Sequence, residues 1–299
     1  MLKLLMRYIL LFVVLYSCNQ TSNKSYSNKE SIIDSVVNSN NADSVLLNYW
    51  KGFDFTNYQQ ATLPENGEQK FVDFINIFPN SNNLVISQSI DNLYEYASTN
   101  LHVQKYFEEL SKRYLYDVNS PFYNENYFIL FLQCFLKSKT IADESKIRYK
   151  ILLEIANKNK VGELATDFTY FANNKTYNLY NIKNSFLVLF FYEVGCSYCE
   201  ESIRILSTNT EFNNLLNSNV SMMAIYPDGD KDLWNKYKEH IPVNWINGID
   251  LKKNIINNGL YDLKASPTIY LLDENKRVIL KDTSIEELLQ YFQDLKINI

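Results

Sequence analysis

The chain has 299 residues, of which 46% are hydrophobic, 15% aromatic and 21% charged. This composition is ordinary for a globular protein with a substantial core, and the length allows two modest domains or one large one. The formal net charge is −5. A mildly acidic chain without a basic stripe argues against nucleic acid as a partner.

The N-terminal segment has the layout of a secretory signal. Met1–Arg7 is short and basic, and Ile9–Leu15 is an unbroken apolar run that is too short to span a bilayer. Leu15–Cys18 resembles a bacterial lipobox, although Tyr16 is larger than the residue usual at its position. The resemblance implies that Cys18 becomes the lipid-modified first residue of the mature protein. The alternatives are an ordinary signal peptide cut just before this cysteine and a retained anchor.

The middle of the chain is predicted to be helical. Asn19–Glu30 is polar and has no apolar periodicity, as in a flexible tether. Apolar residues then recur at spacings of three to four, which is typical of helices. The predicted helical stretches are Ser31–Asn48 with a break at 38–41, Phe71–Phe78, Asn92–Arg113, Asn126–Lys137 and Ser145–Asn157. We expect four or five helices that pack on one another and carry no catalytic constellation.

The pattern changes after Lys160. The predicted elements are a hairpin within Phe168–Ile182, strands at Phe186–Tyr192 and Val220–Tyr226, helices at Cys199–Asn217, Lys231–His240 and Asp250–Asn258, and a strand pair at Thr268–Leu272 and Arg277–Lys281. Phe186–Tyr192 is apolar throughout, which indicates a strand buried on both faces. Ser284 and Glu287 predict a capping box at the start of a final helix. This order of elements predicts an α/β layer fold, separate from the all-α part, with the boundary near Val161.

Cys196 and Cys199 form a C-x-x-C motif four residues after the end of the buried strand, at the start of a predicted helix. Unpaired backbone N–H groups and the dipole at a helix N-terminus favour negative charge, and the thiolate is the reactive form of cysteine. Gly195 lets the chain enter this helix tightly. We therefore predict that Cys196 is a nucleophile and that Cys199 lies close enough to attack a mixed disulfide and release the partner.

Zinc binding is the main alternative for this pair. A structural zinc ion needs four ligands, and the rest of the chain offers only Cys134, His102 and His240, with no second pair at a suitable spacing. We expect no metal site and no other cofactor. Cys134 falls within an apolar helical stretch, where a buried, inert cysteine is the usual outcome.

Pro267 stands at the very start of a predicted strand, where a central strand tolerates proline. Such an X-Pro bond is sometimes cis, and a routine proline at a strand start is the alternative. Three stretches in this half of the chain resemble the thioredoxin superfamily, most closely bacterial envelope members of the TlpA/ResA type. These stretches are Ala165–Thr169, Phe190–Cys199 and Tyr261–Thr268.

The resemblance implies a thioredoxin-like fold with Cys196 as the attacking thiol, Cys199 as the resolving thiol and Pro267 as a cis-proline beside them. It also implies a substrate groove, to which we assign Ser266, Thr268 and Tyr198. On this basis we predict a signal peptide and anchor cysteine over 1–18, a tether over 19–30, a helical domain over 31–160 and a thioredoxin-like domain over 161–299. The helical part resembles an uncharacterised domain that precedes thioredoxin-like domains in some bacterial lipoproteins.

The sequence departs from the thioredoxin pattern at two positions. Gly195 stands where thioredoxins carry Trp, and Phe190 stands where they carry the buried acid that assists proton transfer. Glu193 and Glu200 are candidates for that task, and an ordinary solvated charge is the alternative for each. A peroxiredoxin is not favoured. That family places Pro and Thr before its peroxidatic cysteine, and these two residues are absent before Cys196.

The sequence therefore predicts a thiol–disulfide oxidoreductase that is lipid-anchored on the periplasmic side of the cell envelope, and the resemblance to the TlpA/ResA type implies that it reduces protein disulfides. Its partners would be envelope protein thiols or disulfides and a membrane electron donor that the sequence does not identify. The alternative is a lipid-anchored binding protein, in which the helical domain captures a partner and the cysteine pair is structural.

Overall fold

The computed structural model describes residues 39–297, with side chains over 41–295. The predicted signal peptide, Cys18, the tether and the start of the first predicted helix lie outside the described residues. The chain divides into two compact units, one ending at Val103 and the other beginning at Gln104. The domain boundary near Val161 stays a prediction.

The first unit is helical and has an aromatic core. Its helices are α1 Ser39–Asn48, α2 Tyr58–Ala61, α3 Gln69–Ile75 and α4 Asn83–Ala97, with a π turn at Pro64–Glu68 and a 3-10 turn at Phe78–Asn80. The rings of Trp50 and Phe74 meet edge to face with centroids 5.3 Å apart. The side chain of Asn82 caps α4 by accepting a hydrogen bond from the Val85 N–H at 3.0 Å.

Helix α5, Leu101–Leu115, contains the point of division between the units. The predicted helical stretch Asn92–Arg113 is therefore two helices, α4 and α5, rather than one. Ser98 and Thr99 donate their hydroxyl protons to backbone carbonyls of the last turn of α4, and Asn100 accepts the Val103 N–H at the start of α5. Such side chains compete with the helical backbone for hydrogen bonds, which explains the interruption.

The second unit continues with two helices and then a seven-stranded sheet with further helices. The helices are α6 Glu125–Lys137, α7 Asp143–Ala156, α8 Ser197–Thr208, α9 Thr210–Leu216, α10 Lys231–Tyr237, α11 Asn254–Asn257 and α12 Ile285–Ile297. The strands are β1 Thr169–Ala172, β2 Lys175–Asn178, β3 Phe186–Phe191, β4 Val220–Tyr226, β5 Ile246–Ile249, β6 Thr268–Asp273 and β7 Val278–Lys281. This confirms the predicted fold class, a helical N-terminal region followed by an α/β thioredoxin-like layer fold.

The sheet has the strand order β2-β1-β5-β4-β3-β6-β7. β3, β4 and β5 are parallel neighbours, and the remaining pairs are antiparallel. Along β3, Val188 and Phe190 join one hydrophobic cluster, while Leu187 and Leu189 join another. Side chains alternate between the two faces of a strand, so the predicted burial of this strand on both faces is confirmed. The sheet is thus covered on both sides, and the C-terminal end of β3 delivers the chain to α8.

Two local predictions at the ends of elements are confirmed. β1 and β2 form a hairpin whose turn residues Asn173 and Asn174 have φ values of 49° and 60°, as a tight two-residue turn requires. Ser284 and Glu287 form a reciprocal capping box at α12, with both hydrogen bonds 3.1 Å long. No helix in the described part of the chain is both long enough and apolar enough to cross a membrane.

The structure also corrects the prediction in the half of the chain that contains the sheet. The stretch Cys199–Asn217 is broken at Asn209, which ends α8 and caps α9 by accepting the Phe212 N–H at 2.8 Å. β5 was not predicted, because Asn and Gly within it have low strand propensity. Gly248 is required there by space: a Cβ at this position would lie 2.7 Å from the ring of Tyr170.

Candidate functional site

The cysteine pair lies at the beginning of α8, where the chain leaves β3 and turns. Gly195 makes this turn with a φ of +82°. A Cβ at this position would meet nothing within 4 Å, so glycine is needed for the backbone conformation and not for room. Cys196 is the N-cap of α8, and its sulfur accepts a hydrogen bond from the Cys199 N–H at 3.3 Å. The first sulfur therefore takes up one of the free N–H groups at the helix start.

The two sulfurs have different environments. Both are free thiols; Cys196 is partly exposed and Cys199 is fully buried. Burial raises the pKa of Cys199 well above its usual range, and its hydrogen bond with Cys196 and the negative charge of Glu193 act in the same direction. Cys199 is consequently protonated at neutral pH in the dithiol form. The accessible sulfur comes first in the sequence and the protected one lies behind it.

The loop before β6 lies against Cys196. The Cys196 thiol donates a hydrogen bond to the carbonyl of Ser266 at 3.5 Å, although these residues are 70 positions apart. The Ser266–Pro267 peptide bond is cis, the form that the resemblance implies. Thr268 is buried, and its hydroxyl donates to the carbonyl of Ala265 at 2.5 Å. The structure thus brings the loop and the dithiol together and directs the Thr268 hydroxyl into the loop itself.

The other candidate residues lie around this centre. Tyr198, between the two cysteines, is 77% exposed, so its ring is available to a macromolecule that approaches Cys196. Glu193 and Glu200 are both exposed, and Phe190 is fully buried in the hydrophobic cluster that also contains Cys199. No carboxylate occupies the Phe190 position. A role for either glutamate in proton transfer stays a prediction, as do the groove roles of Tyr198, Ser266 and Thr268.

Tyr237 near the end of α10 is a neighbour that sequence reasoning missed. Its buried ring stacks on Tyr192 with centroids 5.7 Å apart. Burial, followed by the charges of Glu200 and of the two cysteines, raises the pKa of Tyr237 to about 12. Its hydroxyl lies within electrostatic range of the Glu200 carboxylate but forms no hydrogen bond of ordinary geometry with it. Only the tertiary contact of Tyr237 with Tyr192, the residue after β3, reveals this proximity, because the helical pattern of α10 carries no signal for it.

No group of three or more His, Cys, Asp or Glu side chains within residues 41–295 is arranged to hold a metal ion. Cys134, His102 and His240 therefore do not join the cysteine pair in a ligand set. The chemistry available at the site is that of two thiols, of which one is accessible and the other is protected. An accessible thiol followed within one helical turn by a second thiol can break a disulfide and then release the product.

Comparison with known families assigns the two halves of the chain separately. Residues 31–159 match a domain of unknown function (DUF5106), and residues 161–281 match the AhpC/TSA family. A search of curated proteins gives no match.

Among solved structures, a thioredoxin-like protein from Bacteroides caccae is similar to this chain at 33% identity and a TM-score of 0.75. The alignment covers 86% of this chain and 94% of that protein. The C-terminal domain of an uncharacterized protein from Bacteroides fragilis is 36% identical, with a TM-score of 0.43. That alignment covers 44% of this chain and 96% of the fragilis domain.

Proposed function

This chain belongs to the thioredoxin-like proteins, and we propose that its Cys196–Cys199 pair exchanges disulfides with proteins of the cell envelope and acts as their reductant. The predicted resemblance to the thioredoxin superfamily is confirmed at the level of the family. The observation that carries the proposal is the contrast between the partly exposed Cys196 at the N-cap of α8 and the buried Cys199 one helical turn behind it. A zinc-binding or purely structural pair has no need of this asymmetry.

The reaction proceeds in two steps. The Cys196 thiolate attacks one sulfur of a substrate disulfide, so that the substrate S–S bond breaks, a mixed disulfide forms and the other substrate sulfur leaves as a thiolate that takes up a proton. The Cys199 thiolate then attacks the Cys196 sulfur and releases the second substrate thiol. Two electrons pass from the dithiol to the substrate, and the chain is left with a Cys196–Cys199 disulfide.

The raised pKa of Cys199 separates these steps. While Cys199 remains a thiol it cannot attack, and so the mixed disulfide persists until the Cys199 proton leaves. Glu193 and Glu200 are the candidate proton acceptors, since one precedes and the other follows the pair along the chain and no acid stands at the Phe190 position. Pro267 with Ser266, Thr268 and Tyr198 would form the groove that receives the substrate chain.

Repeated turnover requires a donor that reduces the Cys196–Cys199 disulfide again. We assign this task to a membrane electron donor, and we place the chain on the periplasmic side of the envelope, anchored through a lipid on Cys18. Support for the location is the signal-like layout of residues 1–18 and the polar segment 19–30.

The variant Cys18→Ala tests the lipid anchor. In cell fractionation we expect the wild-type chain with the membranes and the variant outside them. Retention of Cys18→Ala in the membranes through a carbonate wash would refute lipid anchoring.

The direction of electron flow is tested by the reduction potential of the full chain. We expect a value of about −270 mV, like that of thioredoxin, in glutathione or dithiothreitol buffers with the Cys196–Cys199 peptide assigned by mass spectrometry. A value of about −120 mV would instead mark an oxidant of folding proteins. If no Cys196–Cys199 disulfide forms at any poise, the oxidoreductase proposal fails and the helical region becomes the part of the chain to examine for function.

A further inference from the structure

A cluster of buried charges surrounds Lys264, which lies in the loop before β6; because this loop carries Pro267, we call it the proline loop. We call the group of charges the Lys264 cluster, and its members are Glu125, Asp262, Lys264, Lys281 and Asp282. The Lys264 ammonium lies 3.0 Å from Glu125 Oε1 and 3.1 Å from both Asp262 Oδ2 and Asp282 Oδ2. None of the five side chains is more than 11% exposed. Three separate parts of the chain therefore meet in this cluster: the start of α6, the loop before β6 and the end of β7.

Two tyrosines complete the surroundings of Lys264. Tyr116 donates its hydroxyl proton to Asp262 at 2.6 Å, and Tyr123 donates to Asp282 at 2.7 Å. The Lys264 ammonium also lies 4.3 Å from the ring centre of Tyr116. Both tyrosines precede α6. The helical part of the second unit thus provides three of the groups that enclose Lys264, while the segment around β6 and β7 provides the others.

The electrostatics hold Lys264 in its charged form. Burial by itself would lower the pKa of Lys264, but the carboxylates of Asp282, Asp262 and Glu125 outweigh burial and raise this pKa above its usual value. Removal of the ammonium would leave three buried carboxylates with one cation among them, Lys281. Unpaired buried charge is strongly unfavourable, so the cluster fixes the position of the backbone that carries Lys264.

Lys264 is only two residues from the carbonyl that touches the dithiol. The Ser266 carbonyl accepts the hydrogen bond of the Cys196 thiol. Glu125, the carboxylate that pairs with Lys264, is the first residue of α6. We propose that Lys264 is a positioning residue of the dithiol: by fixing the loop to α6, it sets the Ser266 carbonyl against Cys196 and thereby shifts the redox equilibrium. This inference rests on the proposed thiol–disulfide function and assigns the helical part a task within it.

The direction of the effect follows from the hydrogen bond. A Cys196 thiol donates to the Ser266 carbonyl, whereas a Cys196–Cys199 disulfide has no proton to donate. The contact therefore stabilises the reduced form alone. In glutathione buffer, the protein dithiol and oxidised glutathione exchange with the protein disulfide and two molecules of reduced glutathione. When the loop moves away from Cys196, this equilibrium shifts toward the protein disulfide.

The test compares Lys264→Met with Lys281→Met in the full chain. Lys281 belongs to the same cluster through Glu125 Oε2 and also donates to the Lys158 carbonyl at 3.0 Å, but it lies on β7 and not on the proline loop. Both variants remove one buried ammonium, so thermal unfolding should show that both are destabilised. In glutathione buffers only Lys264→Met is expected to shift the equilibrium constant, by about threefold toward the disulfide.

A second variant keeps the test decisive if Lys264→Met does not fold. Glu125→Gln preserves the shape of the side chain and weakens the connection from α6, so it should shift the equilibrium in the same direction by a smaller factor. Equal equilibrium constants for the wild type, Lys264→Met and Glu125→Gln would overturn the inference, as would an equal shift in Lys281→Met. A wild-type chain that forms no Cys196–Cys199 disulfide would refute the proposed function instead, and the two failures are thus distinguishable.

Discussion

Two regions of the second unit carry cysteines in very different settings. Cys134 lies near the C-terminal end of α6, 6% exposed, within a helical stretch whose buried side chains are otherwise mainly aromatic and aliphatic. Cys196 lies at the N-cap of α8, partly exposed, with a backbone N–H directed at its sulfur. The residue type is the same, and its position relative to the helix start differs. The comparison teaches that the helix terminus, and not the cysteine itself, provides the conditions for exchange chemistry.

Cys199 sharpens the contrast, because it is at least as buried as Cys134. What distinguishes Cys199 is its neighbour, since its N–H bonds to the Cys196 sulfur one turn earlier. This protected position beside an accessible thiol supports the proposed resolving role of Cys199, whereas a buried thiol near the end of an apolar helix is expected to behave as a small hydrophobic side chain. Substitutions at these cysteines and at a neighbouring glutamate test this difference between the two regions.

The largest effect is expected for Cys196→Ser. Without its nucleophile, the chain should lose disulfide reductase activity by about a thousandfold or more in an insulin-reduction assay. Cys134→Ser is the matched control: it should keep activity within about twofold, because Cys134 lies in α6 and takes no part in the proposed exchange chemistry. A folded Cys134→Ser variant without activity would show that the two regions do not differ as described.

An intermediate effect is expected for Cys199→Ala, which should retain the first attack and accumulate the mixed disulfide on Cys196. In the wild type, release of this intermediate should accelerate with pH across the range 6 to 9, by up to about tenfold per unit, since the raised pKa of Cys199 keeps the thiolate scarce there. Rapid acid quench and mass spectrometry follow the adduct. Release that is independent of pH would contradict a protonated resolving thiol.

The smallest effect is expected for Glu193→Gln. Loss of this exposed negative charge should lower the pKa of Cys199 slightly and speed release of the mixed disulfide by about twofold at low salt, with no effect at high salt. Glu239→Gln, another exposed charge in the same half of the chain, is the control. Faster release would leave Glu200 as the candidate proton acceptor, whereas slower release in Glu193→Gln would favour Glu193 for that task.

Much of the fold could be predicted from local patterns. The apolar runs of β3 and β4, the Asn-Asn turn of the first hairpin and the Ser284–Glu287 capping box each have a signature within ten residues of sequence. The errors lie where tertiary contacts override weak local signals. β5 contains Asn247 and Gly248, and it forms because parallel pairing with β4 and close contact with Tyr170 compensate for poor strand propensity.

The sequence by itself determined the chemistry of the candidate site. A C-x-x-C directly after a buried strand places one sulfur on free helix N–H groups and the second within a turn of it, and both relations extend over only a few residues. Only the tertiary structure decided what surrounds the pair. The Ser266 carbonyl on Cys196, the Tyr237 ring beside Tyr192 and the ion pair of Lys264 with Glu125 join residues 70, 45 and 139 positions apart. Such contacts depend on how whole elements pack, and no local periodicity records that packing.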